Sequence, residues 1–206
     1  MLYSGASSGR DISGVAVAET EAMAKIKAPV DAAAGQHVDT VLDRLTTFGN
    51  LGEDLLRVLD IAIGITGADM GTLQRFDESA DCLRIVASRG LSREALTFFG
   101  AVRRDTATSC AAALTRRMSV FVGDISTSYL YVGTRELEVL RAGGVAAVHS
   151  TPLISSNGRL WGVLSTHFDK PQIESEFDPA TLDRFALKVA NSLEQGEDPA
   201  AGPALS

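Results

Sequence analysis

The sequence predicts an α+β fold in which an antiparallel sheet carries its long helices on one face. Three observations carry this reading. Two pairs of short apolar runs flank turn-rich links, Met70 to Phe76 with Cys82 to Arg89, and Val145 to Ile154 with Leu160 to Phe168; this is the pattern of β-hairpins. Helical apolar spacing occupies both ends of the chain. The regular strand and helix alternation of a parallel sheet is missing.

Residues 1–35 read as an extension. Met1 to Gly14 is rich in Gly and Ser, and Val15, Ala18, Ala22, Ile26 and Val30 then recur at near-helical spacing on an Ala-rich segment. That narrow stripe of small residues suits either pairing with another helix or a surface position. From Gln36 a second helical pattern runs through Val38, Val41, Leu42, Leu45 and Phe48, is broken at Gly49 to Gly52, and resumes from Leu55 to Ile65. The first hairpin follows. Ser92 to Phe99 reads as a short helix capped by Ser92, with Glu94 early, where the helix dipole favours an anion. Thr108-Ser109 opens another, Cys110 to Arg117, and a strand, Ser119 to Val122, comes next. An aromatic-bearing loop from Ser126 to Gly133 leads to the helix Thr134 to Ala142, stopped by Gly143-Gly144. The second hairpin turns at Ser155-Ser156-Asn157-Gly158. Asp178-Pro179 starts the last helix, with Leu182, Phe185, Ala186, Val189 and Leu193 on one face, and residues 196–206 read as a flexible tail.

Charge and composition narrow the function. Across 206 residues, 19 Lys and Arg stand against 26 Asp and Glu, a formal charge of −7. Such a surface repels nucleic acid, so a basic nucleic-acid binder is excluded. With 45% hydrophobic and 22% charged residues, the chain can bury a core without disulfide staples. Cys82 and Cys110 are too far apart for a redox pair and too few for a zinc site, so both read as reduced. The N-terminus lacks the basic-then-apolar pattern of a signal peptide, and no window reaches about 18 apolar residues. A cytoplasmic location without a membrane partner is expected.

Gly67-Ala68-Asp69-Met70-Gly71-Thr72-Leu73-Gln74, Leu83 to Gly90, Ser150-Thr151-Pro152-Leu153 and Leu160-Trp161-Gly162-Val163-Leu164-Ser165-Thr166-His167-Phe168 together resemble a GAF domain, over about residues 36–195. The resemblance implies a central antiparallel sheet of five or six strands, terminal helices packed on one face, and short helices and loops over a pocket on the other. It also implies a sensor of a small molecule that dimerises through its terminal helices and acts as a signalling module. The segments outside 36–195 are too short for an output domain, so the output is expected on a partner protein in trans. A ligand-free interaction module is the alternative reading, and a thiol-dependent free-methionine sulfoxide reductase a third. The fold alone names no ligand.

Several residues are pocket candidates. Cys110 starts a helix whose N–H groups would stabilise a thiolate, which makes it a redox or attachment site; equally it reads as a small residue packed under a loop. The resemblance places His after the attachment cysteine of bilin-binding members, and Ala111 stands there instead. The cyclic-nucleotide signature is also missing, the matching stretch reading His167-Phe168-Asp169-Lys170-Pro171. The cofactor is therefore left unknown. If Ile154 faces Leu160, then His149, Thr151 and Leu153 share a face with Trp161, Val163, Ser165 and His167, whereas a slip of one residue separates the two histidines. Two imidazoles without a third ligand argue weakly for zinc, so no metal site is expected. Tyr129 and Tyr131 lie in the loop expected to overhang the pocket, where each suits either stacking on a ligand or packing. Arg103-Arg104-Asp105 suits either an anion partner or a solvated loop. No Gly-rich phosphate loop, nucleophile elbow or paired-carboxylate spacing is present, so no catalytic residue is expected.

Overall fold

The computed structural model describes residues 51–173 and 179–197. The helices expected before Leu51 and the tail beyond Glu197 lie outside them. The elements are α1 (Leu51–Thr66), β1 (Met70–Asp77), β2 (Cys82–Arg89), α2 (Arg93–Phe98), β3 (Ala101–Arg103), α3 (Ser109–Arg116), β4 (Val120–Val122), α4 (Arg135–Ala142), β5 (Ala147–Ile154), β6 (Leu160–Phe168) and α5 (Pro179–Glu197). The six strands form one antiparallel sheet in the order β3-β2-β1-β6-β5-β4. The two expected hairpins thus join through β1 and β6 at the centre. The three-residue strands β3 and β4 stand at the edges, where short strands leave little backbone for unwanted pairing. At three residues β3 is too short to show alternation, and the sequence reading has a loop there.

Local chemistry starts the short helices. The hydroxyls of Ser92, Thr108 and Thr134 accept from the N–H groups of Ala95, Ala111 and Leu137 at 3.1, 3.2 and 3.2 Å. Each cap satisfies one of the donors that a helix start leaves unpaired, a contribution of about 1 kcal/mol.

Two apolar layers sandwich the sheet. On one face α1 and α5 bury Leu59, Ala62, Leu182, Phe185 and Val189 against Leu73, Leu153, Trp161 and Leu164 of the strands. On the other, Ala95, Leu114, Tyr131 and Leu140, from α2, α3, α4 and the loop before α4, cover Met70, Leu83, Val148 and Val163. Gly162 permits the central contact, since a Cβ there would lie 1.9 Å from the Gln74 carbonyl oxygen. Two register shifts interrupt the ladders, at Leu73/Gln74 between β1 and β2 and at Leu153/Ile154 between β5 and β6.

Candidate functional site

A cavity of about 30 Å³ lies between the sheet and its covers. Thr72 and Gln74 reach it from β1 and Ser165 and His167 from β6; Ser109 and Cys110 border it from α3, and Tyr131 from the loop before α4. A volume of this size holds a water or two at roughly 10–15 Å³ each. One part of its wall is nonetheless polar. The Tyr131 hydroxyl accepts from the Ser109 N–H at 2.8 Å and donates to the Ser109 Oγ at 3.1 Å. From there Ser109, Ser150 and Ser165 continue a buried hydroxyl chain with spacings of 2.9 and 2.8 Å. Thr72 Oγ1 lies 3.5 Å from His167 Nε2. Within the protein, Gln74 Oε1 and His167 Nδ1 are buried without a hydrogen-bond partner.

Burial sets the protonation of the wall. His167 is pushed down to about 4 by desolvation, so its imidazole is neutral at neutral pH. Burial raises the Tyr131 phenol as well. The Cys110 thiol also goes up: desolvation outweighs the hydrogen bonds from Thr108, from the Ala111 and Cys110 N–H groups and from Gln74 that favour the thiolate. The expectation that the helix start would activate this thiol is therefore reversed, because taking the charge out of water costs more than the helix end returns.

The shared face expected for His149 and His167 is corrected by the register. Ile154 does pair with Leu160, but the next pair is Leu153 with Gly162, and Trp161 is left over as a bulge. Beyond it every partner shifts by one, so His149 faces Thr166 and Val148 faces His167. Ser165 and His167 consequently point to the cavity, and His149 and Thr151 to the layer of α1 and α5. There Thr151 Oγ1 lies 3.5 Å from His149 Nε2 and accepts from Ser119 Oγ at 3.3 Å. Burial pushes His149 down to about 4, with the nearby Asp183 carboxylate opposing.

The architecture and the cavity can now be set beside known proteins. The family model described as GAF domain matches residues 50–194. The chain belongs to the GAF domain family. Solved structures similar to it include a domain assigned to a two-component sensor histidine kinase protein from Sinorhizobium meliloti, with 25% identity over 74% of this chain and 96% of that one and a TM-score of 0.59. The GAF domain of a phosphoenolpyruvate-protein phosphotransferase from Coxiella burnetii shares 16% identity over 82% and 97% of the two chains, with a TM-score of 0.64. A free methionine-R-sulfoxide reductase from Neisseria meningitidis, solved with its substrate, shares 15% over 82% and 92%, with a TM-score of 0.63. No curated protein matches the chain.

In this GAF domain four of the seven pocket candidates, Cys110, Tyr131, Ser165 and His167, meet at the cavity, and Tyr129, His149 and Thr151 do not. Tyr129 is 84% exposed and Tyr131 1%, the chain turning between Ser128 and Tyr131, where the Tyr131 N–H bonds the Ser128 carbonyl. Arg104 is committed to Asp81 at 2.7 Å and lies over the Phe76 ring at 4.9 Å, away from the cavity. Among the described residues no group of three metal-ligating side chains occurs. A larger open groove, about 500 Å³, lies at the tip of the first hairpin, where Arg84 pairs with Asp77 at 2.9 Å and Arg75 sits 6.0 Å from the Trp161 ring centre. The sequence reading passed over Thr72, Gln74 and Ser109. Alternation was the available signal for the first two: in β1 Leu73 belongs to the helix layer, so its neighbours must point to the cover side.

Proposed function

We propose that this GAF domain is a non-catalytic sensor that takes up a small molecule at the Cys110–His167 cavity and signals to a partner in trans through its terminal helices. The observation that carries the proposal is that Gln74 and His167, two of the residues lining the cavity, each hold a buried polar atom with no partner in the protein, Oε1 and Nδ1, where packing alone would favour apolar groups. Leaving a buried donor or acceptor unpaired costs about 1–3 kcal/mol, which a hydrogen-bonding ligand recovers. A route to the helices exists in the strands themselves. Thr72, Gln74, Ser165 and His167 line the cavity from β1 and β6, while Leu73 and Leu164 of the same strands pack under α1 and α5. A ligand that moves these strands therefore moves the helix layer.

The thiols support a non-catalytic role. Ile85 lines the cavity from β2, and Cys82, an odd number of residues away, faces the other side of the sheet, so Cys110 has no second thiol beside it. A homodimer through the terminal helices, in the cytoplasm, completes the proposal. Leu187 of α5, 42% exposed, offers an apolar contact on that side, and no helix among the described residues is long and apolar enough to cross a membrane.

Native mass spectrometry of protein purified gently from its host tests the reading. An extra mass lost on denaturation is expected. A mass that survives denaturation and maps to Cys110 would instead mean covalent attachment. The cavity volume of about 30 Å³, far below the roughly 300–1,000 Å³ of drug-sized sites, favours a second reading, a ligand-free interaction module. A dimer peak carrying no extra mass would select it.

A further inference from the structure

The cavity wall is electrically neutral. None of its twelve lining residues is Asp, Glu, Lys or Arg, and its three titratable groups, Cys110, Tyr131 and His167, are all pushed towards their uncharged forms by burial. At the positive end of α3 the Ser109 N–H is taken by the Tyr131 hydroxyl and the Ala111 N–H by the Thr108 hydroxyl, and the Cys110 N–H lies by its own sulfur. The field that reaches Tyr131 from outside comes from the Glu136 carboxylate, which further disfavours an anion. A cation finds only dipoles. An ion entering here would lose its water without gaining a counter-charge, whereas a neutral molecule meets Gln74 and His167, each of which holds a buried polar atom without a partner in the protein. Opposite these, Ile85, Leu91 and Phe99 supply an apolar wall.

We infer that the molecule sensed is uncharged, with one hydrogen-bonding edge that donates to Gln74 Oε1 and engages His167 Nδ1 and an apolar body against Ile85, Leu91 and Phe99, the chemistry of a primary amide. This rests on the sensor reading and deepens it. Zwitterionic amino acids, carboxylates and phosphates are thereby excluded as ligands. The volume is small, and Leu91 and Phe99, on either side of α2, border its apolar end. These two side chains must give way for an entering body to pack against them.

The test uses three near-isosteric probes, propanamide, propanoate and propylammonium, titrated into the full chain and followed by nitrogen NMR of the His167 ring and the Gln74 side-chain amide. Propanamide is expected to shift both sets of signals and to bind at least about 100-fold more tightly than either ion. Gln74→Leu is expected to weaken it at least about tenfold, and Phe99→Leu, which enlarges the cavity, to strengthen it. Equal binding of either ion overturns the neutral class and leaves the sensor reading standing. Failure of propanamide to bind both the unaltered chain and Phe99→Leu overturns the inference, while the native mass measurement tests the sensor reading separately.

Discussion

Acidification from about pH 8 to pH 5 should remove roughly 4 kcal/mol of stability through two buried histidines. His149 and His167 are held down at about 4 in the folded chain against an ordinary value of 6.5. Between those values the unfolded chain binds protons that the folded chain refuses. The stability is thus fully present above 6.5, falls as the pH drops towards 4, and levels off below. For each ring the linkage integral gives about 2 kcal/mol at pH 5 and about 3 kcal/mol at full protonation. Both sums are large beside a typical total of about 5–15 kcal/mol. Asp77, held at about 2 by Ser79, Arg84 and the Ala80 N–H, loses its contribution only at lower pH and does not blur the window. The assay is urea unfolding at closely spaced pH values, with the slope of stability against pH as the readout. His149→Gln and His167→Gln should each remove close to one proton from that slope, whatever they do to stability itself. A flat profile between pH 7 and 5, or a slope unchanged in the double variant, would refute the burial argument.

Four further outcomes follow from packing and burial. Gly162→Ala puts a methyl 1.9 Å from the Gln74 carbonyl oxygen in the central β1–β6 pair; it should cost at least about 3 kcal/mol in denaturant unfolding, whereas Gly64→Ala on α1, with nothing within 4 Å, should stabilise by roughly 0.5–1 kcal/mol. Tyr131→Phe strands the Ser109 N–H and should cost about 1–3 kcal/mol by the same assay; a loss below measurement error would mean that a water takes over the bond. Alkylation of Cys110 by iodoacetamide near pH 7.5 should be far slower in the folded chain than in urea, since burial keeps the thiol protonated; labelling at equal rates would return Cys110 to the list of reactive thiols.

The sequence by itself determined the described elements other than β3, and their order, because helix periodicity, capping hydroxyls and turn residues act within a few positions of the chain. Ser92, Thr108 and Thr134 each announce a helix that the structure contains, and the Asn157-Gly158 turn announces the second hairpin, closed with Gly158 at φ 80°. The GAF resemblance was legible for the same reason, in the apolar runs of that hairpin and in Gly162. The assembly of the site was decided by tertiary structure. Strand faces alternate with period two, so the single bulged residue Trp161 reverses the side on which His149 and Thr151 stand relative to Ser165 and His167. Nothing local in Leu153-Ile154 or Leu160-Trp161 announces that bulge. It arises where Trp161 and Leu153 both enter the layer under α1 and α5 while Leu160 and Val163 pack on the cover side. The neutrality and the small volume of the cavity were equally hidden, since they follow from which side chains converge from five separate elements, and burial is a property of that convergence rather than of any residue in the chain.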